Sequence, residues 1–145
     1  MDVNNIKVFE NTSFVQECFE LDKKIFLDNY SLQMINDDSL KELFFLKKDE
    51  ELIGFIYLHG DDFEKEIYKI GIIREHQGKG LGKYFLEEVI KLSKTSRLLL
   101  EVNSTNKNAI KLYESCNFKK YYIRKKYYSD GNDAILMELK LGELL

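Results

Sequence analysis

The stretch that decides the fold is Arg74-Glu75-His76-Gln77-Gly78-Lys79-Gly80-Leu81-Gly82-Lys83, between a predicted strand and a predicted helix. Three of the chain's eight glycines fall within five of these residues. Glycine lets the backbone approach a ligand closely and adopt a positive φ at little cost. A helix that begins directly after such a loop points its free N–H groups and the positive end of its dipole at the bound group. Because basic side chains flank the glycines, we expect an anion there, and a pyrophosphate in particular.

Two well-known phosphate loops do not fit this stretch. A P-loop needs Ser or Thr after its Gly-Lys pair, whereas Gly80 and Tyr84 follow the two Gly-Lys pairs here. The dinucleotide fingerprint needs a third glycine three residues after the second, and Lys83 occupies that position. A tight strand-to-helix turn without a ligand remains the alternative, so the rest of the chain must decide.

The composition is that of one globular domain spanning residues 1–145, with 44% apolar and 13% aromatic residues. The formal net charge of -3 argues against nucleic-acid binding through bulk electrostatics, although it leaves a local basic patch open. No apolar run approaches the roughly 20 residues that a membrane span needs. The first five residues lack the basic and apolar regions of a secretion signal. We therefore expect a cytoplasmic protein without nucleic-acid or membrane partners.

The cysteines and histidines do not indicate a metal site. Cys18 and Cys116 are the only cysteines, and each falls on the apolar stripe of a predicted helix. Free cysteine is usually buried, so we interpret both as core thiols and not as ligands or nucleophiles. His59 and His76 do not combine with them at any recognised ligand spacing. We expect no metal in the reaction.

The apolar periodicity predicts an α/β fold, with a mixed central sheet of about seven strands and helices on both faces. The predicted strands are Ile6–Phe9, Leu43–Leu46, Leu52–Leu58, Ile67–Ile73, Leu98–Val102, Tyr121–Tyr128 and Ala134–Leu141. The predicted helices are one with Asn11-Thr12-Ser13 as N-cap, Tyr30 to Asp38, one from Leu81, and Asn106 to Cys116. Asn117 suits the left-handed position after the last helix. Continuous apolar residues in Leu98–Val102 favour burial on both faces, as in parallel pairing.

Two residues in the second half are candidates for acid–base chemistry. Glu101 lies within the apolar strand, where an unpaired carboxylate is costly. Burial would raise its pKa toward the range that is useful for a general base. A glutamate that faces solvent or a structural partner is the alternative. Tyr113 lies on the helix after this strand, so both side chains can reach the same end of the sheet. Before any resemblance is considered, a core tyrosine is the more common interpretation.

Longer motifs add to these single residues. Gln77-Gly78-Lys79-Gly80-Leu81-Gly82 fits the pattern Q/R-x-x-G-x-G/A. Leu100-Glu101-Val102, Asn106, Ala109, Leu112-Tyr113-Glu114 and Asn117-Phe118 fit L-E-V-x-x-x-N-x-x-A-x-x-L-Y-E-x-x-G-F, with Asn117 in place of the glycine. On these motifs, between Ile67 and Leu139, the sequence resembles the GNAT family of acetyl-CoA-dependent N-acetyltransferases. It is similar in particular to the ribosomal-protein-alanine (RimI-like) subgroup. The residues from Ile123 to Tyr128 and from Asp133 to Met137 resemble the C-terminal part of that subgroup.

The resemblance implies acetyl-CoA as co-substrate, an amine acceptor such as a protein N-terminus, and no metal. It implies that backbone groups of Ile70, Gly71 and Ile72 pair with the pantetheine arm like an added strand. Glu101 would take a proton from the substrate ammonium through water, and Tyr113 would give one to the departing thiolate. The remaining residues implied to contact the cofactor are Gln77, Gly78, Lys79, Gly80, Leu81, Gly82, Lys83 and Asn106.

Departures from the pattern lie where an acceptor would be chosen. The ribosomal subgroup usually carries Phe-Pro-Trp between the first two helices, whereas this chain has Ile25-Phe26-Leu27-Asp28-Asn29-Tyr30. Tyr127 and Tyr128 keep the subgroup's aromatic pair and either line a peptide slot or pack ordinarily. Arg124-Lys125-Lys126 is interpreted as a solvated strand face. Three functions remain: a protein N-terminal acetyltransferase, a small-amine acetyltransferase, or a non-catalytic acyl-CoA-binding module.

Overall fold

Seven strands and four helices make up a computed structural model that describes residues 5–142. The strands are β1 (Ile6–Glu10), β2 (Lys41–Lys48), β3 (Glu51–Gly60), β4 (Lys65–Ile72), β5 (Arg97–Asn103), β6 (Lys119–Arg124) and β7 (Ala134–Lys140). The helices are α1 (Val15–Ile25), α2 (Leu32–Asp37), α3 (Leu81–Leu92) and α4 (Lys107–Ser115). The mixed sheet has the order β1-β2-β3-β4-β5-β7-β6, which confirms the predicted class and strand number. Of the first five residues, which were expected to lack a secretion signal, four lie outside the described residues.

The described residues fall into two compact units. The first unit contains the residues up to His59 together with Tyr68–Ser93, and the second contains Gly60–Ile67 and the residues from Lys94 onward. The division falls within β4, between Ile67 and Tyr68.

An antiparallel ladder of β1, β2 and β3 forms the core of the first unit. Leu46 of β2 pairs with Val8 of β1, and Phe44 pairs with Ile56 of β3. The four central residues of β2 and the six from Ile53 to Leu58 are buried, as expected for strands covered on both faces. Asp49 and Glu50, both at positive φ, form the turn between β2 and β3.

The first two helices of this unit, α1 and α2, begin differently. The Ser31 hydroxyl accepts the Met34 N–H at 3.1 Å and caps α2, one residue after Tyr30, where the pattern predicted a helix to begin. No side chain caps α1, whose N-cap residue is Phe14. Asn11 Oδ1 instead accepts the Ser13 N–H at 3.1 Å. A local turn therefore uses the polar residues that were predicted to cap the helix.

In the second unit, β5 pairs antiparallel with β7 along its length and parallel with β4 only at Lys65 and Glu66. Leu98, Leu100 and Val102 are buried, whereas Glu101 is exposed. The prediction of burial on both faces was therefore wrong, because antiparallel strands commonly bury one face and expose the other. The run of leucines obscured an ordinary two-residue alternation.

The last helix and hairpin of this unit follow the predicted order with shifted bounds. Asn117 has a φ of 73°, and the Phe118 N–H donates to the Tyr113 carbonyl at 3.0 Å, which confirms the left-handed end of α4. The strand predicted over Tyr121–Tyr128 was shifted, since β6 begins at Lys119 and ends at Arg124. Lys126 has a φ of 49°, which a continuing strand does not permit.

Both cysteines are buried, as predicted. Burial, with a smaller contribution from the Asp22 charge, raises the pKa of the Cys18 thiol to about 12. Among residues 5–142, no group of three or more His, Cys, Asp or Glu side chains is placed to hold a metal ion. No helix within the same range is long and apolar enough to cross a membrane.

A buried ion pair joins α1 to β4 within the first unit. Lys69 Nζ donates to Asp22 Oδ1 at 2.7 Å, and the two side chains are 11% and 1% exposed. Lys69 also donates to the Asp28 carbonyl at 2.6 Å, and the Tyr30 N–H donates to Asp22 Oδ2 at 2.8 Å. The pair therefore fixes the segment between α1 and α2.

Replacing Lys69 with Met should lower the free energy of unfolding by about 3–5 kcal/mol, because it leaves the Asp22 carboxylate buried without its charged partner. Urea denaturation measures the change. Lys23→Met is the matched control, since the Lys23–Glu20 pair at 3.4 Å is 47% and 51% exposed and should change stability by less than about 1 kcal/mol. Equal losses in the two variants would contradict a structural role for the buried pair.

Candidate active site

The glycine loop connects β4 to α3 in the first unit. A short 3-10 turn, Arg74–His76, follows Ile73, and Gly78 and Gly80 then have φ values of 74° and 79°. Gly80 is the N-cap residue of α3, so the first N–H groups of this helix follow the loop directly. Gly82 lies inside α3 and not in the loop. The glycine loop therefore leads directly into the N-terminus of α3.

Gln77 ties this loop to the end of β4. Its Nε2 group donates to the Ile72 carbonyl at 2.8 Å. A Cβ atom added at Gly78 would meet no atom within 4 Å, so glycine is required there for its positive φ and not for space. His76 Nδ1 is buried and has no hydrogen-bond partner among the described residues. The sequence assigned only the backbone of Gln77 to the site and missed its side-chain bond.

Gly71 has a packing role that the sequence did not indicate. A Cβ atom there would lie 2.8 Å from side-chain atoms of Ile25 and Phe26, at the end of α1. The glycine therefore lets α1 approach β4 at the three residues, Ile70 to Ile72, that were predicted to pair with a pantetheine arm. A larger residue at position 71 would displace the start of the α1–α2 segment.

The sequence predicted that Glu101 is buried, but this residue of the second unit is exposed. Its Oε2 atom accepts the Tyr128 hydroxyl at 3.1 Å, and Arg124 Nε lies 3.9 Å from Oε1. The carboxylate therefore lies at the surface with two partners. Arg124 had been interpreted as part of a solvated strand face, and its position one strand beyond β7 gave no sequence signal for this contact.

Tyr128 forms a small cluster with its neighbours. Its ring contacts Tyr127 edge to face at 5.3 Å, and the Arg124 guanidinium lies 5.5 Å from the Tyr127 ring centre. Burial raises the pKa of Tyr128 to about 12, and the charge and hydrogen bond of Glu101 act in the same direction. The phenol is therefore a hydrogen-bond donor at neutral pH.

Tyr113 and Asn106 both lie on α4 or at its start. Tyr113 is 8% exposed and packs against Phe118 at 5.9 Å between ring centres. Burial raises the pKa of Tyr113 to about 12, so its hydroxyl keeps its proton at neutral pH. Asn106 is the N-cap of α4, and its Oδ1 atom accepts the Ala109 N–H at 3.2 Å. The sequence had placed Asn106 against a cofactor and did not indicate this cap.

Residues 6–118 match the acetyltransferase (GNAT) family. The chain is 32% identical over 130 residues to the [ribosomal protein bS18]-alanine N-acetyltransferase of Salmonella typhimurium, covering 86% of this chain and 83% of that protein. It is 34% identical over 82 residues to N-alpha-acetyltransferase RimI of Mycobacterium tuberculosis, covering 56% of this chain.

Several of the curated relatives are matched over only about half of their length, 52% for the Mycobacterium tuberculosis protein. The structure is similar to that of the ribosomal-protein-S18-alanine N-acetyltransferase from Escherichia coli, with a TM-score of 0.83 and 26% identity. The similarity covers 97% of this chain and 98% of that one. The resemblance found in the sequence is confirmed, and the chain belongs to the acetyltransferase (GNAT) family.

Proposed function

We propose that the chain transfers an acetyl group from acetyl-CoA to a primary amine, and that this amine is the α-amine of a protein N-terminus of the ribosomal-protein-alanine type. The observation that carries the proposal is the loop of Gly78 and Gly80, both at positive φ, that leads directly into α3. The relatives named ribosomal-protein-alanine N-acetyltransferases support the choice of acceptor.

The residues of the first unit fit a pyrophosphate and the arm attached to it. The open space beside Gly78 and the free N–H groups at the start of α3 suit an anion. We assign pyrophosphate binding to Gln77, Gly78, Lys79, Gly80, Leu81, Gly82 and Lys83. Backbone groups of Ile70, Gly71 and Ile72 would hold the pantetheine arm as an added strand does. In the second unit, Asn106 would bind the cofactor through Nδ2, because its Oδ1 atom caps α4.

Two side chains of the second unit move the protons. Bound acetyl-CoA supplies the acetyl thioester that the amine attacks. Glu101 accepts the proton of the substrate ammonium, and Tyr113, whose hydroxyl is protonated at neutral pH, donates one to the departing thiolate. A modest base suffices for a protein α-amine, whose pKa is about 7.7–8.0 against about 10.4 for lysine. No residue of the chain has to carry the acetyl group.

A small-amine acceptor is the second candidate function. It is favoured by the segment between α1 and α2, which lacks the Phe-Pro-Trp of the ribosomal subgroup. The Asp22–Lys69 ion pair and the hydrogen bond from the Tyr30 N–H to Asp22 hold this segment instead. The presence of Glu101 and Tyr113 disfavours a non-catalytic module. We further propose that the protein is cytoplasmic and that residues 1–145 form one domain. We also propose that it has no metal, nucleic-acid or membrane partners.

We expect Glu101→Gln and Tyr113→Phe each to lower kcat by about 10²–10⁴-fold, the usual contribution of one general base or acid. Each substitution removes a proton-transfer group and keeps its shape, so acetyl-CoA should still bind. Release of CoA thiol measures turnover, and calorimetry measures binding.

Glu114→Gln and Tyr122→Phe are the controls, since both positions are exposed on α4 and β6. They should leave kcat within about twofold. Turnover near that of the natural protein in both active-site variants would reject the assigned roles.

Gly80→Val should raise the Kd for acetyl-CoA at least tenfold, because a branched side chain strongly disfavours the φ of 79° that the loop needs at this position. Gly131→Val is the matched control: its φ is 84°, and it lies in the β6–β7 loop. Because its backbone strain is similar, the control should lower the melting temperature by a similar amount. It should leave the Kd for acetyl-CoA unchanged. If acetyl-CoA binds equally well to both variants, the loop does not hold the pyrophosphate.

Mass spectrometry after incubation with acetyl-CoA and a panel of acceptors tests the acceptor class. We expect acetylated α-amines on peptides that begin with alanine. Modification of small amines alone would reject the protein N-terminus, and the second candidate function would replace it.

A further inference from the structure

A cavity of about 250 Å³ lies within the first unit, apart from the glycine loop. Its walls come from α2 and its two ends, from β3 and from β4. The lining residues are Tyr30, Met34, Asp38, Tyr57, His59 and Tyr68. Since pockets for whole drug-sized ligands usually hold 300 Å³ or more, this cavity has room for one side chain or one end of a small molecule.

Aromatic rings form most of its surface. The Tyr68 ring stacks on His59 at 4.8 Å and on Tyr57 at 5.6 Å, with interplanar angles of 9° and 25°. Tyr30 meets Tyr57 edge to face at 5.6 Å. Faces of such rings attract ammonium and guanidinium groups, most strongly where water is partly excluded.

Asp38 supplies a negative charge on the same surface. Burial acts to raise the pKa of its carboxyl, but hydrogen bonds from Tyr57, His59 and the Leu40 N–H hold the pKa below its usual range. The Tyr57 hydroxyl donates at 2.7 Å, and His59 Nδ1 lies 2.8 Å from Oδ2. The carboxylate therefore stays ionised at neutral pH and fixes two of the rings.

Two lysines lie close to the cavity without lining it. Lys41 Nζ donates to the Asp38 carbonyl at 3.2 Å. Lys69 Nζ lies 4.1 Å from the centre of the Tyr30 ring, and Asp22 at 2.7 Å balances its charge. The first unit thus already holds one ammonium group between aromatic rings and a carboxylate, and the cavity repeats that combination.

The position of Tyr68 on β4 relates the cavity to the proposed reaction. A pantetheine arm that follows β4 from the loop passes Ile72 first and Ile70 last, so its acyl end points toward Tyr68. Two residues of strand separate Ile70 from Tyr68, a distance of roughly 7 Å. A group bound in the cavity would belong to the acceptor and lie beyond its reacting amine.

We propose that this cavity binds a second, positively charged group of the acceptor, an ammonium or guanidinium separate from the amine that is acetylated. The inference rests on the proposed function. Such a group occurs in an aliphatic diamine and in a peptide whose second residue is Lys or Arg. The rings and Asp38 give an acceptor with this second charge an advantage over one with an uncharged chain of equal length.

The binding test compares 1,5-diaminopentane with pentylamine, which has the same chain and one charge. The protein contains two histidines, so an imidazole NMR spectrum reports on His59 in the cavity. Because His76 lies beside the proposed pyrophosphate loop, it serves as the reference only within a titration series at a fixed CoA concentration. Titrations with and without CoA should shift the His59 signal with the diamine and much less with the monoamine. Equal shifts with both amines, or no shift with either, would overturn the proposal.

Variants locate the effect. Tyr68→Leu should raise the Kd and KM for the diamine about three- to tenfold, whereas Tyr68→Phe, which keeps the ring, should stay within twofold. Asp38→Asn should weaken diamine binding, and Asp37→Asn, at an exposed neighbouring position, should not. Equal effects of Tyr68→Leu on diamine and monoamine would show an apolar cavity and contradict the proposal.

Turnover distinguishes the source of the charge. Peptides that begin Ala-Lys and Ala-Met are compared beside the two amines. A lower KM for Ala-Lys assigns the cavity to a basic second residue, and selection only among the small amines assigns it to a diamine. Charge-selective His59 shifts without acetylation of any acceptor would reject the proposed function and leave the cavity assignment intact. Acetylation without charge selection would reject the cavity assignment alone.

Discussion

The ion pair between Asp22 and Lys69 is the constraint on which the arrangement of the first unit depends. A buried carboxylate is costly alone, and Lys69 at 2.7 Å compensates its charge. The remaining lone pairs of Asp22 and protons of Lys69 bond the backbone at Tyr30 and Asp28. One pair of charges therefore determines the path of the chain between α1 and α2, a segment whose path helix propensity does not determine.

This path has consequences for the strand beneath it. Phe26 lies against Gly71, where a Cβ atom would approach its ring within 2.8 Å. Tyr30, at the other end of the segment, contacts Tyr57 and so forms one wall of the aromatic cavity. The segment that departs from the ribosomal subgroup is thus held in place from inside. Acceptor preference is then a property of a fixed surface, for which few conformations must be selected upon binding.

The sequence predicted the parts of the fold that depend on local patterns. The glycine loop, the short helix that begins near Tyr30 and the left-handed Asn117 each depend on a few neighbouring residues. Glu101 was misplaced because its neighbours Leu99 and Leu100 are both apolar, which hides the alternation of a strand with one buried face. The contact of Tyr128 with Glu101 joins residues 27 positions apart. No local pattern contains such a pairing, and the cavity residues, drawn from α2, β3 and β4, were unrecognisable for the same reason.

The position of Glu101 changes the physical account of its role. Because Glu101 is exposed, the groups that touch its carboxylate orient it, and not an apolar enclosure. Tyr128 donates to one oxygen, and Arg124 lies 3.9 Å from the other. In the proposed reaction, the acceptor amine must lose a proton before it attacks. A protein α-amine, with a pKa of about 7.7–8.0, loses that proton more readily than a lysine-like amine, with a pKa of about 10.4. An aliphatic diamine is therefore the more demanding acceptor, whereas a peptide with a basic second residue offers both the less basic α-amine and the second charge of the proposed cavity site.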